Sequence, residues 1–297
     1  MATTSVNATA VQWSLQAPRS LWQDATRRFM RNRMALVGLG ILLFFVMVGL
    51  FAGQIAPYQP LTMSLGDNLA APSSEHLFGT DELGRDVFTR TLYGAQTDLA
   101  LTFLTVLFAA VVGVAAGTVA AYWGGLIDEI LMRSVDILLA FPVFLLGLVL
   151  VAFLGPSMQN VVFALAITRF PRYARLIRGL VLSIKEREYV EAARVMGAPN
   201  RSIITRHILP NSIAPIIIFA SLDMGTTITA LAGLSFLGVG IQPPTPDWGL
   251  MLTSARNNLV LAPWTAIFPG LAISLSTIGF NFLGDGLRDA FDPRLQI

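Results

Sequence analysis

Few side chains in this sequence have the type and spacing needed for covalent or metal chemistry. The 297 residues include no cysteine, and the two histidines, His76 and His207, lie far apart without ligand-like neighbours. Disulfides and thiolate metal sites are therefore excluded. No GxxxxGK[ST] motif offers a phosphate-binding loop for ATP, and no histidine completes a nucleophilic triad. We predict no catalytic residue, no metal and no cofactor in this chain.

One carboxylate, Asp223, interrupts an otherwise uncharged apolar run at residues 213–237. A carboxylate at such a position is costly in lipid and normally faces a cavity or a partner. Asp223 is therefore either a polar group on a translocation path, where it would meet a cation such as an ammonium group, or a structural acid. In the second case it would bond to Thr226, Thr227 or another subunit. The sequence leaves both interpretations open.

A polar segment between two apolar runs, residues 183–211 (SIKEREYVEAARVMGAPNRSIITRHILPN), holds a second set of candidate residues. Ser183 and Glu186 have the spacing of a capping box at a helix start. Gly197 suits the left-handed residue after a helix end, and Pro199 prevents continuation, so we predict two short helices with a sharp break. Helices this short bury little surface by themselves. They would rest either in a groove of a partner protein or on lipid headgroups.

The elements that hold these residues are predicted from composition and apolar runs. The chain is 54% hydrophobic and 13% charged, whereas about a quarter of a soluble domain is charged. Runs long enough to cross roughly 30 Å of hydrocarbon predict an all-α, polytopic membrane protein of six spans. The spans lie at about residues 34–56, 99–122, 137–154, 159–180, 213–237 and 263–283, and Gly155-Pro156 separates the third from the fourth.

The positions of lysine and arginine predict the orientation. If both termini are cytoplasmic, every Lys and Arg except Arg85, Arg90 and Arg256 falls inside. Residues 1–33 are then a cytoplasmic tail with a basic amphipathic helix, and residues 34–297 form the transmembrane domain. We predict a multi-pass protein of the inner (cytoplasmic) membrane.

Two further patterns concern packing. Gly113, Gly117 and Ala121 recur every four residues, a spacing that allows close helix approach either at a subunit interface or within the chain. Arg133 and Asp136, three residues apart, predict an ion pair on one helix face.

Several segments together resemble the permease subunits of ATP-binding-cassette importers, in the C-type branch of the dipeptide, oligopeptide and nickel family. One is Glu191-Ala192-Ala193 followed by Gly197 and by Ile208-Leu209-Pro210, which is similar to the EAA loop of that family. The others are RRFMRNRMALVGLGIL, FGTDELGRDVFTRTLYGA, GLSFLGVGIQPPTPDWG and FPGLAISLSTIGFNFLGDGLRDAFDPR, so the resemblance covers nearly the whole chain.

The resemblance implies a type I importer permease fold, with residues 34–297 as the permease domain and residues 183–211 as the loop that couples it to an ATPase. The implied coupling residues are Glu191, Ala192, Ala193, Gly197, Ile208, Leu209 and Pro210. The implied partners are a homologous second permease subunit, two ATPase subunits or domains that bind ATP and magnesium, an extracytoplasmic substrate-binding protein and the lipid bilayer, but no nucleic acid. Many relatives carry a small residue at the Asp223 position, so the family gives that residue no support.

The expected cargo is di- or oligopeptides, with nickel chelates, glutathione or oligosaccharides as alternatives. A self-sufficient secondary carrier is the rival class. Such carriers usually contain internal repeats and broken helices at matching positions, which this sequence does not show.

Overall fold

The computed structural model describes residues 21–64 and 66–291, so the predicted tail at residues 1–20 lies outside the described residues. The described residues contain helices and no β-strand, which confirms the all-α class. The α-helices of the described residues are α1 (Leu21–Phe29), α2 (Arg33–Leu50), α3 (Ala52–Ile55), α4 (Val87–Trp123), α5 (Gly125–Leu139), α6 (Val143–Leu154), α7 (Met158–Ile184), α8 (Glu188–Val195), α9 (Asn200–Ser202), α10 (Leu209–Phe236), α11 (Trp248–Ala255) and α12 (Trp264–Phe291).

Length and composition identify four to five apolar spans among the described residues. Four stretches are each long and apolar enough to cross a membrane: α2, α4, the continuous stretch Asn200–Phe236, and α12. Helices α5 and α6 meet this criterion only when they are taken together as a pair bent by 92°. Helix α7 has 27 residues but carries Arg169, Arg172, Arg175 and Arg178. The chain is therefore a polytopic helical membrane protein, and the count of six spans stays a prediction.

Two predicted spans differ from the helices that contain them. The span predicted at 99–122 belongs to α4, which begins at Val87 because Asp86 caps it, its carboxylate accepting from Thr89 N at 2.7 Å. The polar first turns of α4 are buried in protein, so hydropathy does not detect them. The span predicted at 137–154 is broken before Pro142, whose ring disfavours a helical residue in front of it. The predicted break at Gly155 is present, with φ of 88°.

The small residues of α4 pack within this chain. A Cβ on Gly113 would overlap Tyr173, and one on Gly117 would overlap Ala174 and Ile177, all on α7. Ala121 is buried in a cluster that also contains Ile177. The structure therefore agrees with packing between helices of one chain. The small residues of α4 lack bulky side chains, so the backbones of α4 and α7 can approach closely.

Arginines of α7 bind acids of α5. Arg178 donates from Nε and Nη2 to the two oxygens of Asp128 at 2.6 and 2.7 Å, the bidentate geometry that guanidinium favours. Arg175 donates from Nη2 to Asp136 Oδ1 at 2.6 Å. The predicted pair of Asp136 with Arg133 is therefore wrong, since Asp136 is occupied by an arginine from another helix.

We expect Gly117→Ala to destabilise the protein, although alanine is the better helix former. The new methyl group would push α4 off α7, and overpacking typically costs about 1–3 kcal/mol. Gly179→Ala on α7 is the matched control, because no atom lies within 4 Å of its added Cβ. Thermal unfolding in detergent should show a lower Tm for Gly117→Ala only. An unchanged Tm for both variants would contradict the packing.

Candidate functional site

The polar segment between α7 and α10 folds as predicted in outline but not in its capping. Helix α7 continues to Ile184, so Ser183 lies inside it and the predicted capping box is not formed. Arg187 precedes α8 without a side-chain cap. Lys185 Nζ donates to Ala121 O at 3.1 Å. The segment is therefore anchored at its start to the C-terminal end of α4.

Helix α8 has two different faces. Val190 and Ala193 are buried, and Val190 belongs to an apolar cluster contributed by α4, α7 and the stretch before α10: Ala121, Ile177, Val181, Val190, Ile203 and Ile208. Ala193 thus faces its own chain. The opposite face exposes Val195 and Met196, at 83% and 80%, next to the exposed Glu191 and Ala192. These two adjacent side chains therefore give this face of α8 an exposed apolar surface beside charged residues.

Gly197 ends α8 in the left-handed conformation predicted for it, with φ of 81°. Its amide donates to Arg194 O at 3.0 Å, and Ala198 N donates to Ala193 O at 3.0 Å, which satisfies carbonyls at the helix end. Tyr122 at the end of α4 donates its hydroxyl to Asn200 Oδ1 at 2.8 Å. The turn is therefore fixed by backbone hydrogen bonds to α8 before it and by a side-chain hydrogen bond between Asn200 and α4 after it.

The residues after the turn form a π-helical stretch, Ile203–Ile208, that leads directly into α10. Ile208 is buried, Leu209 is half-buried, and Pro210 is exposed in the first turn of α10, where its missing N–H is not needed. Ala193 and Ile208 are thus both buried, on the inner side of the loop. Glu191, Ala192 and Gly197 remain on the outer side.

Asp223 lies on α10 and is paired with an arginine of α7. Arg169 Nη1 donates to Asp223 Oδ1 at 2.5 Å, and Tyr173 donates its hydroxyl to Oδ2 at 3.1 Å. Arg169 also donates to the hydroxyl and the carbonyl of Thr226, at 3.0 and 3.1 Å. Arg169, Tyr173 and Asp223 are all buried. Both carboxylate oxygens have donors in this chain, so the geometry favours the structural interpretation of Asp223.

Sequence reasoning missed Arg169 and Tyr173 as partners of Asp223. They are four residues apart and therefore lie on one face of α7. This spacing was the signal in the sequence that could have identified them as joint partners of a residue on another helix. The pair joins the two helices that enter and leave the loop. Arg169 lies fifteen positions before Ile184, or roughly 22 Å along α7 at 1.5 Å per residue.

Comparisons with known proteins identify the family to which the chain belongs. Residues 113–297 match the family described as binding-protein-dependent transport system inner membrane component, and residues 20–72 match the N-terminal transmembrane domain of oligopeptide transport permease C. The chain belongs to this family: it is an integral inner-membrane permease subunit of an ABC importer.

Among its relatives is the dipeptide transport system permease protein of Alkalihalophilus pseudofirmus, 45% identical over 277 residues, with 93% of this chain and 91% of the relative covered. The glutathione transport system permease proteins of Escherichia coli and Shigella sonnei are each 45% identical to this chain over 279 residues, with 94% of this chain and 92% of the relative covered.

We expect Asp223→Asn to lower the Tm, because it leaves the buried Arg169 charge without its counter-ion. Breaking one side of a buried pair typically costs about 3–5 kcal/mol. The double variant Arg169→Gln with Asp223→Asn should recover part of the loss, which a double-mutant cycle measures. Asp136→Asn, which breaks an exposed pair, should change the Tm little.

The opposite outcome would assign Asp223 to the translocation path. In that case Asp223→Asn would keep the Tm and the assembly of the wild-type protein, while uptake of substrate would fall.

Proposed function

We propose that this chain forms half of the translocation pathway of a di- or oligopeptide importer and that residues 183–211 couple it to partner ATPases. The observation that carries this proposal is the division of α8 into two faces. Val190 and Ala193 attach α8 to the membrane helices, while Val195 and Met196 remain exposed. A short helix with an unpartnered apolar face fits a groove on another protein.

We further propose six spans with both termini in the cytoplasm. Besides the four helical stretches that are long and apolar enough by themselves, the two further spans are the bent pair α5 and α6, and α7. Charged residues within spans are tolerated when they face partners, and this condition supports α7. Arg169, Arg175 and Arg178 are each paired with an acid of this chain.

In the proposed mechanism this chain carries no cofactor and catalyses no reaction. Two ATPase subunits or domains bind ATP and magnesium, and their closure moves α8. Because α8 packs on α4, α7 and the stretch before α10, its displacement is passed to the helices that line the pathway. The Arg169–Asp223 pair makes α7 and α10 move together. Coupling then consists of a membrane element with two states that a remote nucleotide biases.

The complete importer in this proposal also contains a homologous second permease subunit and an extracytoplasmic substrate-binding protein. The binding protein selects the cargo. Peptides are favoured because one relative carries the name of a dipeptide system. Glutathione, itself a small peptide, is the second candidate, because relatives with that name reach the same 45% identity. Nickel chelates and oligosaccharides remain alternatives without such support.

The cargo is tested with the reconstituted importer. Labelled dipeptide and labelled glutathione are offered separately to proteoliposomes that contain the two permeases, the ATPases and the binding protein. We expect ATP-dependent uptake of the dipeptide. Uptake of glutathione alone would select the second candidate, and ATP-independent uptake by this chain alone would instead indicate a secondary carrier.

We expect the double substitution Val195→Asp and Met196→Asp to release the ATPases without unfolding the permease. Both side chains are exposed, so the fold should tolerate the charges, whereas an apolar contact would be lost. Truncating a central contact typically costs about 2 kcal/mol or more, and copurification of ATPase should fall on the order of thirtyfold.

Val260→Asp is the matched control, because Val260 is 96% exposed and lies after α11, at the other end of the molecule. It should retain the ATPases. Full ATPase copurification and wild-type uptake in the Val195→Asp, Met196→Asp variant would refute the proposed docking face.

A further inference from the structure

Two buried carboxylates meet at the end of α4 that lies farthest from α8. Asp98 belongs to α4, and Asp247 caps α11 by accepting from Leu250 N at 2.6 Å. Asp98 Oδ2 accepts from Trp248 N at 3.0 Å, and Trp248 Nε1 donates to Thr91 O at 2.9 Å. Gly94 leaves the room for the indole ring, since a Cβ there would lie 2.5 Å from Trp248 Cδ1. The first residue of α11 is therefore fixed against α4 by both of its N–H groups.

The two carboxyl groups lie on either side of one peptide unit, because Asp98 Oδ2 accepts from Trp248 N and Trp248 directly follows Asp247; their residues are 1% and 0% exposed. Within the part of the chain that the structure describes, one oxygen of each group, Asp98 Oδ1 and Asp247 Oδ2, has no hydrogen-bond partner. An ionised carboxylate can only accept hydrogen bonds. Two ionised carboxylates close together in a buried site would repel each other, and one of them is normally protonated. The pair therefore requires a hydrogen or a cation to offset this repulsion.

No nearby cation replaces that hydrogen. Among the described residues, neither carboxylate has an Arg, Lys or His nitrogen within ion-pair distance. Arg90, two turns earlier on α4, attracts Asp247, but its Nη1 donates to Pro60 O and its Nε lies 3.6 Å from Asp81 Oδ2.

The other elements around the pair add little charge. Helix α10 contributes the Ser235 side chain, whose hydroxyl is neutral and accepts from Ile241 N. The charged groups of the preceding loop, Asp81, Glu82 and Arg85, lie with Arg90 around a neighbouring pocket. Burial therefore dominates and raises the pKa of Asp247.

We propose that Asp98 and Asp247 form a proton-binding site, in which one proton is shared between their unpartnered oxygens and holds α11 against α4. The pair then carries a single negative charge, which the amides of Trp248 and Leu250 stabilise. A metal ion is a poorer occupant. Magnesium and calcium require about six oxygen ligands or more, and the described residues contain no group of three or more acids or histidines that would hold one.

The site has a defined effect on stability. The folded protein binds the proton more tightly than the unfolded chain does, so its contribution is complete below the ordinary carboxyl range. It is lost as the pH rises through the raised pKa. The shared proton is independent of cargo and of ATPase coupling, so its absence would leave the proposed function intact.

The test is the pH dependence of Tm for the full chain in nanodiscs, between about pH 5 and about pH 9. The wild-type Tm should fall as pH rises. Asp98→Asn replaces the shared proton by an amide donor, so its Tm should depend much less on pH and exceed the wild-type Tm under alkaline conditions. Asp136→Asn, on an exposed pair, should keep the wild-type pH profile. Equal pH profiles for the wild type and Asp98→Asn would overturn the proposal.

Two further measurements are independent of whether Asp98→Asn folds. Infrared spectroscopy of the wild-type protein should show the carbonyl stretch of a protonated carboxylic acid at neutral pH, and this band should disappear as pH rises. Its absence at neutral pH would overturn the proposal. So would a Tm that follows added sodium, magnesium or calcium ions, or a chelator, at constant pH.

Discussion

An arginine can remain inside a bundle of apolar helices only if a counter-charge accompanies it. In this permease Arg169 meets that requirement with Asp223, while the Tyr173 hydroxyl and the Thr226 hydroxyl and carbonyl complete the polar site. The pair lies between α7 and α10. Other features of the structure depend on this junction, because these two helices carry the loop that contains α8. Without the pair, α7 would be a strongly basic helix with no place among apolar neighbours.

The loop itself is best understood as an extension of the membrane core. Val190, Ile203 and Ile208 are buried with Ala121 and Ile177, so the inner half of the loop is part of the packing of α4 and α7. This arrangement changes the meaning of the alanine pair in the sequence. Ala193 permits close approach to its own chain, whereas Val195, Met196 and the charged residues beside them are exposed and form the surface that we propose for a partner. A loop that is rigid on one side and exposed on the other is suited to transmit a displacement.

Sequence patterns predicted the features that depend on local chemistry. Long uncharged runs predicted an all-helical membrane protein, and Gly197 and Gly155 predicted two breaks, because a positive φ strongly favours glycine. The resemblance to importer permeases, carried by motifs spread over the chain, agreed with the family matches.

Features that depend on distant partners were not predictable in the same way. Asp223 and Arg169 are 54 positions apart and Asp98 and Trp248 are 150 apart, so nothing in their neighbourhoods identifies the partner. The start of α4 was missed because its polar residues are buried against protein, which hydropathy does not distinguish from exposure to water. The roles of the loop residues in coupling remain predictions.

The most direct test of the account is the accessibility of α8, and the absence of cysteine from the chain makes the measurement simple. Val195→Cys would be the single thiol, and a membrane-impermeant maleimide would be applied to sealed vesicles of either orientation, with and without the ATPases. The account predicts labelling only from the cytoplasmic face and protection of the thiol when the ATPases are bound. Labelling from the opposite face, or equal labelling with and without the ATPases, would contradict it.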